Sequence, residues 1–181
     1  MYIVSACLLG ANCKYNGGNN DNEAVKDFCE GHRILAVCPE TAGGLTSPRP
    51  PAEQVRITDA SDRRNEDSGA NGSCCVNDCN DRGTENWCNI RVINKNGEDL
   101  TDAFRRGAEI CLKKVLAASE PSESGSGEEI ELAILKAKSP SCGSGQIYDG
   151  TFTGTLIEGD GVFARMLKEH GIRVITENEL K

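Results

Sequence analysis

Three cysteines in this chain stand where a short apolar run ends and a sharp break begins. Tyr2-Ile3-Val4-Ser5-Ala6 leads into Cys7, and Ile34-Leu35-Ala36-Val37 leads into Cys38-Pro39-Glu40. Ile130-Glu131-Leu132-Ala133-Ile134-Leu135-Lys136-Ala137 leads into Lys138-Ser139-Pro140-Ser141-Cys142-Gly143-Ser144-Gly145. Each run reads as a buried strand of a parallel sheet. Residues just past the carboxyl ends of such strands converge on the crevice where ligands bind. Three soft thiolates meeting there would make a metal site. No C-x-x-C spacing supports this, and free cysteine is also a common buried apolar filler. Pro39 and Pro140 favour the site, because a loop carrying only filler has no need of stiffening.

Other groups lie close to these cysteines. Glu40 is two residues past Cys38, where a desolvated crevice would tune a carboxyl toward acid–base work; its bland alternative is a turn cap. Ser139 and Ser141 flank Pro140 and could orient a substrate or relay a proton, or simply bond the loop backbone. Arg49 sits among Pro48, Pro50 and Pro51, a stiff mount for presenting a guanidinium to a carboxylate or a polar ligand, or for bracing the loop by a salt bridge. Cys74, Cys75, Cys79 and Cys88 form the densest cluster, spaced like a metal clip or a disulfide staple. Cys29 and Cys111 read as structural, and so does Cys13, although the first loop could carry it into the crevice. With only His32 and His170 present, histidine metal sites and Ser/His/Asp triads are poorly supplied. The glycine pairs match neither G-x-G-x-x-G nor a P-loop.

The elements that must position these groups alternate. Asp21 or Asn22 can cap a helix with Ala24, Val25, Phe28 and Cys29 on one face and Gly31 at its end. A strand at 33–37 follows, then a rigid, extended loop from Cys38 to Pro51. From about 58 to 90 the composition turns polar, with almost no aliphatic residues, so this segment reads as a solvated insertion. A strand at 91–94 precedes a helix capped by Thr101, with Phe104, Ala108, Cys111, Leu112, Val115 and Leu116 inward. Gly107 inside it signals close packing or a close ligand. A flexible linker spans 121–127. Asp149-Gly150 signals a hairpin. Asp160 is expected to cap a helix with Val162, Phe163, Met166 and Leu167 inward, before a last strand at 172–176. The expected fold is α/β, a Rossmann-like layered arrangement with a short, mostly parallel sheet and helices on its faces. One domain spans 1–181 and carries the Cys-rich insertion.

The chain has 181 residues and a net charge of −8, with a pI near 4.9. That charge is the wrong sign for a partner of nucleic acid or an anionic membrane and points to a small molecule. No run approaches the ~18 apolar residues of a membrane span, and the N-terminus lacks a basic leader with an apolar core. A cytoplasmic location is expected. Ten cysteines in such a chain indicate metal or reactive thiols rather than disulfides.

Taken together, Ser5-Ala6-Cys7-Leu8-Leu9-Gly10, Cys38-Pro39-Glu40 with Gly43-Gly44-Leu45 and Pro48-Arg49-Pro50-Pro51, Asn96-Gly97-Glu98-Asp99-Leu100-Thr101, and Lys138-Ser139-Pro140-Ser141-Cys142-Gly143 with Ile147-Tyr148-Asp149-Gly150 resemble the bacterial thiouracil desulfidase family, a domain of unknown function for much of its history. The resemblance covers most of the chain. It implies a [4Fe–4S] cluster held by Cys7, Cys38 and Cys142, with the fourth iron open to sulfur. It further implies Glu40 and Ser139 as the proton-handling residues. The substrate expected is a small thiolated pyrimidine, a 2-thiouracil-like base or nucleoside, whose sulfur is replaced by water without net redox. Ser141 and Arg49 are the expected substrate contacts. The insertion departs from the family pattern and could hold a second metal. Competing readings are a non-catalytic iron–sulfur or zinc module, with Cys13 or an insertion thiol as fourth ligand, and a thiol-based sulfur carrier.

Overall fold

The computed structural model describes residues 1–57, 89–120 and 128–180. Most of the insertion, including Cys74, Cys75, Cys79 and Cys88, and the linker at 121–127 lie outside the described residues.

Four strands form a wholly parallel sheet: β1 (Tyr2–Ser5), β2 (Ile34–Val37), and two from the C-terminal half, Leu132–Leu135 and Val174–Thr176. Between them, in chain order, come α1 (Glu23–Phe28), α2 (Pro39–Ala42), β3 (Ala52–Arg56), β4 (Ile90–Asn94) and α3 (Thr101–Ser119). The strand Leu132–Leu135 is therefore β5. It is followed by β6 (Gln146–Tyr148), β7 (Leu156–Glu158), α4 (Val162–Glu169) and Val174–Thr176 as β8. The main sheet runs β2-β1-β5-β8, while β3 with β4 and β6 with β7 make two antiparallel ribbons.

Strand alternation divides the core in two. Ile3, Ala133 and Leu135 pack with Phe104, Ala108 and Val115 of α3 and Phe163 and Leu167 of α4. Tyr2, Val4, Leu132 and Ile134 face the opposite way, onto Leu8 and onto Val25 and Cys29 of the α1 region. Helices thus cover both faces, as an all-parallel sheet requires.

Several local expectations change. The α1 face narrows to Val25 and Cys29, because Phe28, 39% exposed, stacks on Tyr2 instead. Asn22 is the cap, its Oδ1 accepting from Val25 N at 3.2 Å. The loop expected to be extended from Cys38 begins as the helical turn α2, because Pro39 occupies the first helical position, where its missing N–H costs nothing. Thr101 does not cap α3. Its Oγ1 accepts from Val92 N at 2.9 Å, and Leu100 takes the cap position. Leu116 is exposed, and Gly107 takes its place on the buried face. Asp160 does not cap α4 either. Its Oδ1 accepts from Gly145 N and Lys168 Nζ, and Gly161 precedes the helix. The hairpin after Tyr148 closes through a longer loop than Asp-Gly alone, with Asp149 N bonded to Thr155 O.

Gly107 answers a packing demand. A Cβ there would lie 1.9 Å from Pro39 O, and a Cβ on Gly43 would lie 2.1 Å from Ala103 O. The backbones of α2 and α3 therefore touch, and this contact seats the segment that carries Cys38 and Glu40.

Candidate metal centre

β2, β1 and β5 are neighbours in the sheet, so their carboxyl ends open onto one place. A cavity of about 500 Å³ lies there, lined by Cys7, Cys13, Cys38, Cys142, Glu40 and Ser139 among others. The three cysteines read from strand ends are thus brought together, and Cys13 joins them.

Each cysteine is fixed by its loop. Cys7 lies in the 3-10 turn Ala6–Leu9 that ends β1, and Asn20 Nδ2 donates to its sulfur at 3.5 Å. Cys38 precedes α2 and accepts from Thr41 Oγ1 at 3.3 Å. The Cys142 loop is bolted to the start of α4: Val162 N donates to Pro140 O at 3.0 Å, and Phe163 N to Ser141 O at 2.8 Å. A Cβ on Gly161 would lie 2.4 Å from the Ser141 carbonyl carbon, so glycine is required for this approach. From the other side, Gln54 Nε2 of β3 donates to Pro140 O at 2.8 Å and Asp160 O at 3.1 Å.

The thiols differ in proton affinity for visible reasons. Cys13 lies beside both Cys38 and Cys7, and its single S–H can serve either one. It is the largest influence lowering Cys38 to about 5 and Cys7 to about 7, while Cys13 itself is raised. Burial pushes the Cys142 thiol well up, opposed by a hydrogen bond from Ser5. Ser5 Oγ accepts from Lys136 N at 3.0 Å, which leaves its own proton for that sulfur.

Glu40 and Arg49 form a largely buried ion pair, their side chains 17% and 8% exposed. Arg49 Nε reaches Glu40 Oε2 at 3.1 Å, and Nη2 contacts the same oxygen. The remaining guanidinium bonds go to Thr46 O at 2.9 Å and Cys13 O at 3.2 Å. Arg49 thus makes the brace, and it also lines the cavity. Burial raises the Glu40 pKa in spite of Arg49. The Ser139 Oγ accepts from Ser141 N at 3.2 Å and Cys142 N at 3.1 Å, so its proton is left to donate to Glu40.

Ser141 is placed differently from its expected role as a substrate contact. It is fully buried, outside the cavity lining, because the tight turn that sends Cys142 inward turns its neighbour away. Its Oγ has no hydrogen-bond partner among the described residues. Sequence reasoning missed the rest of the wall: Lys14, Lys95, Lys136 and Lys138, with Glu53 and Phe152. These four lysines come from three stretches far apart in the sequence, so nothing local signals that they converge.

The donor chemistry of this cavity suits a cluster. The four sulfurs are soft ligands of the kind that hold iron–sulfur clusters. Among the described residues no three Cys, His, Asp or Glu side chains close on the point a single ion would occupy. Among the described residues no helix is long and apolar enough to cross a membrane.

Comparisons with known proteins point the same way. A family model described as 2-thiouracil desulfurase matches residues 2–179. The solved structure of TudS, a [4Fe–4S]-dependent thiouracil desulfidase, is 36% identical, covering 99% of this chain and 91% of that one with a TM-score of 0.68. The uncharacterised protein YbbK of Bacillus subtilis (strain 168) is 37% identical over 180 residues, 99% of this chain and 97% of its own. The cavity at the ends of β2, β1 and β5 is thus found in a chain that matches these proteins nearly end to end, and the chain belongs to the 2-thiouracil desulfurase family.

Proposed function

We propose that this chain desulfurates a small thiolated pyrimidine, replacing the thiocarbonyl sulfur by the oxygen of water. The observation that carries the reading is the meeting of Cys7, Cys38 and Cys142 with Glu40 and Ser139 in one cavity at three adjacent strand ends. Those three cysteines would hold a [4Fe–4S] cluster, which when bound supplies iron as a soft Lewis acid for sulfur.

The remaining work falls to the chain. Overall C=S and water become C=O and hydrogen sulfide, so protons move but electrons do not. Both Arg49 bonds are to Glu40 Oε2, which leaves Oε1 to take a proton from the attacking water and return it to the departing sulfur. Burial raises the proton affinity of this carboxyl, as an acid–base group working near neutrality requires. Arg49 holds Glu40 in place, and the Ser139 hydroxyl orients it from the Cys142 loop. Lys14, Lys95 and Lys138 of the wall favour a substrate that carries negative charge, while Lys136 is paired with Glu177.

Anaerobic reconstitution tests the reading, with iron and sulfide counted per chain. The expected result is about four irons in the wild type, strongly reduced in Cys142→Ala, and thiouracil turnover only in the loaded protein. Zinc, or iron indifferent to Cys142→Ala, would sink it. A second reading, a non-catalytic cluster with four protein ligands, rests on Cys13 lying beside Cys7 and Cys38. It is favoured only if Cys13→Ser loses iron and the wild type turns nothing over.

A further inference from the structure

Among the described residues, two non-glycine residues have left-handed backbone: Lys138 at φ 63° and Phe152 at φ 58°. Both line the cavity. An aromatic residue adopts this conformation rarely, and such strain persists only where surrounding contacts enforce it, commonly at functional sites.

For Phe152 the enforcing contact is visible. Glu53 of β3 is buried, and its Oε2 accepts from both Gly150 N and Phe152 N at 3.0 Å. The loop 149–155 is further tied by Asp149 Oδ1, which accepts from Thr151 N at 3.0 Å. It lies so close to β3 that a Cβ on Gly150 would sit 2.8 Å from Gln54 O. A buried carboxylate and a close backbone contact thus hold an otherwise unfavourable residue against the cavity. The next residue of β3, Gln54, bonds the Cys142 loop through Pro140 O, so one strand fixes both walls.

We propose that Phe152 is a specificity-determining wall against which the planar ring of the substrate packs, and that Glu53 is the positioning residue that holds it there. This rests on the thiolated-pyrimidine reading above. Loss of the side chain should weaken ring binding while leaving the groups that handle protons in place.

The test uses cluster-loaded wild type, Phe152→Gly, Glu53→Ala and Glu53→Gln, with KM and kcat for 2-thiouracil, equilibrium thiouracil binding and thermal midpoints. Glycine adopts the left-handed backbone freely, so Phe152→Gly removes the ring without losing the loop conformation. Its expected signature is a KM raised about tenfold, kcat within about twofold, and a midpoint not lowered. Glu53→Ala should raise KM in the same way, and Glu53→Gln should restore it, because the amide oxygen can still accept both N–H groups. An unchanged KM in Phe152→Gly, or a fall in midpoint and kcat together, overturns the inference while the desulfidase reading stands. A loaded wild type that neither binds nor turns over thiouracil overturns both.

Discussion

Cys13 does more at this site than fill space. Its thiol lies beside Cys7 and Cys38 and can donate its one proton to either, so in the cluster-free chain those two sulfurs are the ones most readily deprotonated. Cys38 at about 5 is mostly thiolate at mildly acidic pH, Cys7 at about 7 becomes so near neutrality, and Cys142 stays protonated by burial. Because the thiolate is the nucleophile, labelling of the cluster-free protein with iodoacetamide at about pH 6 should modify Cys38 first, then Cys7, with Cys142 and Cys111 last. Peptide mass spectrometry reads the order, and Cys142 labelling as fast as Cys38 would contradict it. Glu40 permits a second test. Glu40→Gln keeps a hydrogen-bonding side chain beside Arg49 but cannot carry a proton, so turnover should fall about 10²–10⁴-fold with iron content unchanged. Equal loss of iron would make Glu40 a structural support only. Part of this arrangement was legible in the sequence. Cys7, Cys38 and Cys142 each follow an apolar run, and Glu40 and Ser139 stand beside them. Arg49 allowed two readings; its bonds to Glu40, Thr46 and Cys13 make the brace, and it lines the cavity as well. The burial of Ser141 was not legible, because side-chain direction within a tight turn depends on the packing of α4 against it.

At the scale of elements, the crossing of α2 and α3 sets where Cys38 and Glu40 stand. Replacing a helix-interior glycine by alanine ordinarily stabilises by about 1 kcal/mol. Gly107→Ala should do the reverse, because its Cβ would fall 1.9 Å from Pro39 O and neither backbone can yield without moving the loop. Overpacking of this kind costs about 1–3 kcal/mol, roughly 2–12 °C in midpoint for a chain of this size. Iron loading should fall with it. Calorimetry showing a raised midpoint would mean that the two helices are not in this contact. The apolar runs of β1, β2 and β5 could be read directly, since buried parallel strands carry little but aliphatic residues. β3 could not. Its sequence Ala-Glu-Gln-Val-Arg has no apolar alternation, because Glu53 and Gln54 are buried for their hydrogen bonds to the 149–155 and Cys142 loops rather than for hydrophobicity. The caps expected at Thr101 and Asp160 failed for a related reason. Both side chains are good caps locally, but tertiary partners at Val92, Gly145 and Lys168 take their oxygens.

For the whole molecule, the proposed ligands tie together parts of the chain that are far apart in sequence and neighbours in the sheet. Cys7, Cys38 and Cys142 follow β1, β2 and β5, whose register is already fixed by backbone pairing, with Tyr2 opposite Ile34 on one side and Leu132 on the other. The sheet is expected to form without the cluster. Ile3, Val4, Ile134 and Leu135 are fully buried, and both faces are covered by helices; of the cavity thiols, Cys142 belongs to the larger core and Cys7 packs at the edge of the smaller one. The cluster-free chain should therefore unfold cooperatively, as a folded protein with an open crevice. A cluster binds the folded chain and not the unfolded one, so loading should raise the midpoint in proportion to its binding free energy. Even a few kcal/mol corresponds to about 5–10 °C for a chain of this length. Circular dichroism melts of the two forms under anaerobic conditions would show this shift. The shift should shrink in Cys142→Ala, which removes the proposed ligand that follows β5, and melts of the cluster-free forms would separate that loss from any change in the fold itself. A cluster-free wild type with no cooperative transition would mean that the metal organises the sheet. An equal shift in Cys142→Ala would mean that the cluster is held elsewhere.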